Sequence, residues 1–335
     1  MNVRRSRIAV PAAALGLLAL SACGSSNAAD GKDGGKLDVA ASFYPMQFLA
    51  EEIGGEHVSV DALTKPGIEP HDLELAPRQI AELGESDMIL YLGGMQPAVD
   101  EAVEQSSVAN KVDAAGLTDL DLHSSGDGHD HANGHEEEHG HGEEHGHEEH
   151  GHEHEEASGE GEATDPHFWL DPVKYAEAAK GVGKALEKAD PDHAADYKKN
   201  TTALVEKLDG LNKDFEDGLK DTKTKTFITS HTAFGYLAER YGLDQEGVTG
   251  IDPKAEPSPA RMKELQQVAK EEKVSTIFFE TLASDKTAKT LAADTGLKTG
   301  VLDPLEGITD RSKGDDYIEV MRANLTALKT ALGAK

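Results

Sequence analysis

Sixteen histidines occur in this 335-residue sequence, and eleven of them fall between residues 123 and 154. The other five are His57, His71, His167, His193 and His231, and three of these stand in similar surroundings. His71 lies in Gly67-Ile68-Glu69-Pro70-His71-Asp72, just after a strand-like run. His167 lies in Asp165-Pro166-His167-Phe168-Trp169-Leu170-Asp171-Pro172, just before a helix opened by Asp171 as N-cap and proline at the first helical position. His231 closes Thr226-Phe227-Ile228-Thr229-Ser230-His231, where a strand turns toward a helix, and Asp303 in Val301-Leu302-Asp303-Pro304 follows another strand. Neutral imidazoles and a carboxylate held on loops are candidate metal ligands, although loop histidines are often incidental. Three of the former plus one of the latter form a four-membered set that suits tetrahedral Zn²⁺. Glu280, in Phe278-Phe279-Glu280, also ends a strand. It competes with Asp303 for the carboxylate position, or supports a ligand from behind. Glu69 and Asp72 are further candidates for that supporting role, because a ligating imidazole donates its other N–H to an acceptor. Phe168 and Trp169 read as packing residues, and His57 and His193 as surface residues.

Positioning such a set is work for a parallel sheet, in which ligands bind beyond the carboxyl ends of the strands. Strand-like runs sit at Asp38–Phe43, Val58–Leu63 and Met88–Leu92, with a helical pattern from Pro77 to Gly84. After residue 164 a helix opens at Asp171-Pro172, and a long one runs from Asp192 to about Leu219. It places Ala195, Leu204, Leu208, Leu211 and Phe215 on one side and would be about 42 Å long. The alternation then resumes. Strands are predicted over Thr226–Thr229, Glu246–Ile251, Val274–Phe279 and Thr299–Leu302, and helices over Ala233–Tyr241, Pro259–Glu272, Lys286–Thr295 and Asp316–Leu332. The fold class is α/β: a lobe over 37–122 completed by 165–191, a bridging helix over 192–220, and a second lobe over 221–335. Two such lobes facing each other bring His71 and His167 from one side, His231 and Asp303 from the other.

The blocks around these residues carry a resemblance. Val39-Ala40-Ala41-Ser42-Phe43-Tyr44-Pro45, Pro70-His71-Asp72-Leu73-Glu74, Asp165 to Pro172, Ser230-His231-Thr232-Ala233-Phe234-Gly235-Tyr236, Ala255-Glu256-Pro257-Ser258 and Leu302-Asp303-Pro304-Leu305 follow in one order across the globular sequence. Together they resemble the zinc-type solute-binding lipoproteins of bacterial ABC metal importers. The resemblance implies two lobes, each with a mostly parallel four-stranded sheet, bridged by a rigid helix, with metal held between them. It carries the ligand roles onto His71, His167, His231 and Asp303. It also implies a membrane permease as partner, Zn²⁺ as transported ligand, and a chain that is a binding protein and not an enzyme. In manganese-type relatives the third ligand is typically glutamate, a harder donor; histidine at 231 points to zinc over manganese or iron. Some zinc-type relatives carry a disulfide in the second lobe, which a chain with one cysteine cannot form.

The segment 123–164 differs from everything around it. Residues 139–156, HGHGEEHGHEEHGHEHEE, hold only histidine, glutamate and glycine, and no lysine or arginine occurs between Lys111 and Lys174. Such a stretch has nothing apolar to bury and is expected to be disordered. A glycine-spaced chain of imidazoles and carboxylates loses entropy on assembling any one coordination set. It is therefore expected to bind zinc more weakly than a preorganised cleft, as a collector, buffer or sensor. In the zinc-type family a His/acid-rich loop commonly stands in this position.

The N-terminus reads as a targeting signal, with Arg4, Arg5 and Arg7 before the apolar run Ile8–Leu20. That run is shorter than the ~20 residues a spanning helix needs. Leu20-Ser21-Ala22-Cys23 resembles a lipobox, which makes Cys23 the expected site of lipid attachment and residues 24–36 a flexible tether. The expected location is the outer face of the bacterial cell membrane, with the protein acting as a monomer. A net charge of −30 argues against nucleic acid as a partner. Two other functional classes compete, a zinc metallohydrolase and a surface adhesin. The hydrolase is disfavoured because all four ligand positions are filled by protein and no HExxH-type motif sets a base beside those ligands; the residues neither support nor oppose adhesion.

Overall fold

Residues 35–120 and 164–335 are described by the structure, a computed structural model. The signal segment with Cys23, nearly all of the tether, and the His/Glu-rich segment up to residue 163 lie outside the described residues. The order of elements is β1 (Leu37–Ala41), α1 (Tyr44–Gly54), β2 (Val58–Ala62), α2 (Pro77–Glu85), β3 (Met88–Tyr91), α3 (Pro97–Gln105), β4 (Asn110–Asp113), α4 (Pro172–Ala189) and α5 (Ala194–Leu219). There follow β5 (Thr226–Thr229), α6 (Gly235–Tyr241), β6 (Asp244–Gly247), α7 (Pro259–Glu271), β7 (Thr276–Phe279), α8 (Lys286–Thr295), β8 (Lys298–Val301) and α9 (Tyr317–Leu332). Two four-stranded sheets result, ordered β2-β1-β3-β4 and β6-β5-β7-β8, and every described pairing in them is parallel. The same order recurs in both lobes. In each, the strand order reverses beside the first strand of the lobe, and a crevice opens there at the carboxyl ends.

Local chemistry explains the boundaries. Proline at the first helical positions starts α1, α2, α3, α4 and α7, where its missing N–H costs nothing. Asp171 caps α4 by accepting from Val173 N at 2.9 Å. Left-handed glycines, Gly242 and Gly296, close α6 and α8. Two expectations shift. The strand predicted over Glu246–Ile251 forms two residues earlier, because Gly242 turns the chain straight from α6 into register with β5, Thr226 opposite Asp244. And the fourth strand of the first lobe, β4, Asn110-Lys111-Val112-Asp113, was not located from the residues, since its polar side chains carry no strand pattern; an edge position tolerates them.

Helix α5 buries Tyr197, Leu204, Leu208, Leu211, Phe215 and Leu219, with Tyr197 taking the place expected for the exposed Ala195. It packs on α1 and α4 in the first lobe and on α9 in the second. One apolar core therefore runs through both lobes, from Val39, Phe43 and Trp169 through the α5 seam to Phe227, Tyr236, Tyr317 and Leu328. Polar ties reinforce it. Arg240 in α6 donates to Oδ2 of the buried Asp171 carboxylate through both Nε at 2.8 Å and Nη2 at 2.7 Å, a charge-assisted contact. Trp169 Nε1 donates to Pro304 O at 2.8 Å, and Tyr317 Oη donates to Trp169 O. The Asp72–Lys254 pair also joins the lobes at 2.7 Å, but both side chains are more than half exposed and contribute little.

A shared core implies cooperative unfolding. Calorimetry is expected to show one transition for both lobes, and Leu211→Ala should lower stability by about 2–5 kcal/mol while keeping it single. Two separable transitions, one per lobe, would contradict the shared core.

Candidate metal centre

Three loops deliver the histidines. The loop after β2 is held from behind by Gln96, whose Nε2 donates to Thr64 Oγ1 at 3.0 Å and Pro70 O at 3.1 Å. His71 N donates to Glu69 Oε1 at 3.2 Å. His167 is pinned twice by Asp165, whose Oδ1 lies 2.9 Å from the His167 backbone N and 2.7 Å from Nδ1. His231 sits at the end of β5, where Thr229 Oγ1 donates to its carbonyl at 2.7 Å. Its Nδ1 faces Glu280 Oε1 at 2.8 Å, and the same oxygen accepts from Ser230 Oγ. In His167 and His231 a carboxylate behind Nδ1 thus turns Nε2 toward the centre, the orientation that readies an imidazole for a metal.

The Nε2 atoms of all three converge on Glu306. Its Oε1 is 3.2 Å from His71, 3.1 Å from His167 and 3.4 Å from His231. His167, His231 and Glu306 are buried, while the His71 side chain retains 12% of its exposure and marks the mouth of the site. One donor atom from each of the four residues lies within 4.8 Å of every other. His231 Nε2 and Glu306 Oε2 have no well-formed hydrogen bond although both are buried. Buried donors and acceptors are ordinarily satisfied, so a pair left open at the meeting point of three imidazoles fits a cation.

The fourth position departs from expectation. Asp303 is not in the set; its Oδ1 accepts from Leu305 N at 2.9 Å and its Oδ2 from Ser312 Oγ at 2.8 Å and Thr281 Oγ1 at 3.3 Å. Both oxygens are occupied away from the histidines, and the turn beyond Pro304 swings Glu306 inward instead. Glu280 takes the supporting place behind His231. Glu69 accepts from the backbone N–H of His71 and not from its ring, and Glu69, Glu280 and Glu306 also offer carboxylate oxygens within 4.8 Å of one another. Asp72 does not support a ligand, being paired with Lys254. Phe168 and Trp169 are buried packing residues. His57 and His193 do not join the site; they stack on each other at 3.9 Å beside Asp196 and Asp190, so they are more structured than surface residues.

Electrostatics follow from this crowding. Burial alone would lower the pKa of His231, yet Glu280 and Glu306 outweigh it and hold the imidazolium well above the usual histidine range. His167 is raised in the same way, with burial opposed by Asp165 and Glu306. Glu306 is driven well below the usual carboxylate range: burial opposes this, but the three imidazoles of His167, His231 and His71 facing it outweigh that burial. Glu69 moves the other way: burial and the Glu306 charge push it up to about 8. Protons on the His167 and His231 imidazoles thus counter the buried Glu306 charge.

A model of the family described as the zinc-uptake complex component A periplasmic, ZnuA, matches residues 39–331. The chain belongs to the ZnuA family. It is 39% identical over 324 residues to the high-affinity zinc uptake system protein ZnuA of Bacillus subtilis, covering 95% of each chain. The crystal structure of the Zn(II)-bound ZnuA-like domain of Streptococcus pneumoniae AdcA superimposes with a TM-score of 0.68 at 32% identity, over 89% of this chain and 99% of that one. The laminin-binding protein of Streptococcus agalactiae, described as bifunctional with adhesin and metal-transporting activity, superimposes with a TM-score of 0.73 at 30% identity, over 89% and 100%. The two-lobed α/β architecture read from the sequence is thus that of the ZnuA family. Glu306 lies just past the last motif block legible in the sequence, and the one available signal was an ionisable residue in the buried run Leu302–Gly307.

Two outcomes test the geometry. Glu306→Gln should weaken tight zinc binding by more than about 100-fold, and Glu280→Gln by about 10- to 100-fold through loss of imidazole orientation, read by chelator competition. Because the raised pKa values of His167 and His231 contribute stability that is complete below about 6.5 and lost as pH rises through them, the metal-free protein should lose stability from pH 6 to 8. Zinc, which must displace those protons, should raise Tm more at pH 8 than at pH 6; an equal rise at both would contradict protonated imidazoles.

Proposed function

We propose that this chain captures Zn²⁺ outside the cytoplasm between its two lobes and delivers it to the membrane permease of an ABC importer. The observation that carries the reading is the convergence of three Nε2 atoms, drawn from both lobes, on one buried carboxylate. Three imidazoles with one carboxylate favour zinc over the harder manganese ion. The ligands are His71, His167, His231 and Glu306. With four protein ligands no position remains for an activated water, which sets this site apart from catalytic zinc. The family's members are zinc-uptake components, and an acceptor in the membrane follows from that role.

Cys23 is the lipid attachment point that tethers a monomer to the outer face of the membrane. The His/Glu-rich segment collects or buffers zinc, and its C-terminal end joins the chain three residues before His167. Delivery proceeds without wide hinge opening, because α5 is continuous and the core crosses the lobe boundary.

Protein lacking residues 1–36 and 124–163 should hold one tight zinc, outcompete manganese for it, and lose it on His231→Ala. Protein retaining 124–163 should bind additional zinc more weakly. Tight binding lost on deleting 124–163 would overturn the cleft as the functional site; manganese preference would overturn zinc as the cargo.

A further inference from the structure

Leu305 is the one non-glycine residue besides Lys273 with positive φ among the described residues, at +59°. It is also fully buried and immediately precedes Glu306. Leucine gains nothing in the left-handed region, where its Cβ crowds the following carbonyl. Such a conformation persists only when its surroundings over-determine it, and it then concentrates at functional positions.

The surroundings here are specific. Asp303 N donates to Asn324 Oδ1 at 2.9 Å, and Asn324 Nδ2 donates back to Asp303 O at 2.7 Å, fixing the backbone before the turn to α9. Pro304 O is held by Trp169. Asp303 Oδ1 grips Leu305 N itself. Its other oxygen is held by Thr281 from the end of β7 and by Ser312 from the 309–312 turn, in which Ser312 N donates to Thr309 O at 3.0 Å. That turn lies at the surface: Asp310, Arg311 and Lys313 are exposed and Ser312 half-buried. The chain before Leu305 is anchored on both sides of Asp303, so relaxing φ at Leu305 must swing the residue that follows, and that residue is Glu306.

We infer that Asp303 is a positioning residue that holds the Leu305 turn in its strained form, with Ser312 as a latch reachable from the surface, so that loosening the latch withdraws Glu306 from zinc ahead of the histidines. The inference rests on the zinc reading of the site and adds to it the place where release begins. It also accounts for a buried carboxylate beside the metal centre that offers neither oxygen to it. A partner seated on residues 309–313 reaches this latch without opening the lobes.

The test is zinc dissociation from the full chain into excess chelator by stopped flow, with the tight-site phase identified as the one abolished by His231→Ala. Asp303→Ala should keep that phase but speed it by about tenfold or more, the scale of one left-handed leucine no longer restrained. Ser312→Ala, a milder change outside the core, should speed it about threefold. Asp303→Asn retains an acceptor for Leu305 N and should stay near wild type; a loss equal to that of the alanine variant would mean the charge acts on the metal directly and would overturn the positioning role. In a Leu305→Gly background, where glycine adopts positive φ without strain, the Asp303→Ala effect should shrink to less than about twofold. An undiminished effect in that background, or unchanged release in both Asp303→Ala and Ser312→Ala, would overturn the inference while leaving the cleft intact. A wild-type chain with no tight-site phase would overturn both this inference and the zinc reading beneath it.

Discussion

A carboxylate buried where three imidazoles meet is the constraint on which the rest of this molecule depends. Glu306 has no exposure, and a buried charge is tolerated only with partners that neutralise and hydrogen-bond it. Those partners arrive from His71 beyond β2, His167 ahead of α4 and His231 beyond β5, separated by 96 and 64 residues of sequence, respectively. Imidazole nitrogens must stay within about half an ångström of their places to bind a metal well. The two lobes therefore cannot drift. The core that passes through α5, the Arg240–Asp171 pairing and the Trp169–Pro304 hydrogen bond all serve that requirement.

A site fixed this firmly separates capture from release. Capture benefits from preorganisation, since little ordering remains to be done when the ion arrives. The cation also enters against protons held by His167 and His231, so the electrostatics that stabilise the metal-free molecule set the terms of exchange. Release has to come from something smaller than a hinge. The left-handed Leu305, directly before Glu306, is such a feature, a local point of strain set beside an otherwise stiff frame.

Much of this was legible in the residues. Strand-like runs alternating with helical patterns indicated the parallel α/β lobes, and proline placed after capping positions located helix starts to within a residue or two. The three histidines stood out because each sat at a strand end or beside a helix cap. The fourth ligand position did not. Asp303 and Glu306 both follow β8, and a separation of three residues cannot tell which one faces the cleft when an intervening leucine adopts a left-handed conformation. Asp303, which grips Leu305 N, is itself held by Asn324, Thr281 and Ser312, from 9 to 22 residues away in sequence, and such contacts leave no mark in the local pattern. The edge strand β4 was hidden for a related reason, because its stability comes from pairing with β3 and not from its own polar residues.

Helix α9 has a consequence for how the molecule fails. Its Asn324 fixes the backbone at Asp303, its Tyr317 hydroxyl holds the carbonyl of Trp169, and its apolar side chains complete the seam against α5. One helix thus finishes both the core and the geometry beside the candidate site. Damage that unseats α9 frees Asp303 and Trp169 together, so a defect in packing far from the cleft is felt where the histidines meet.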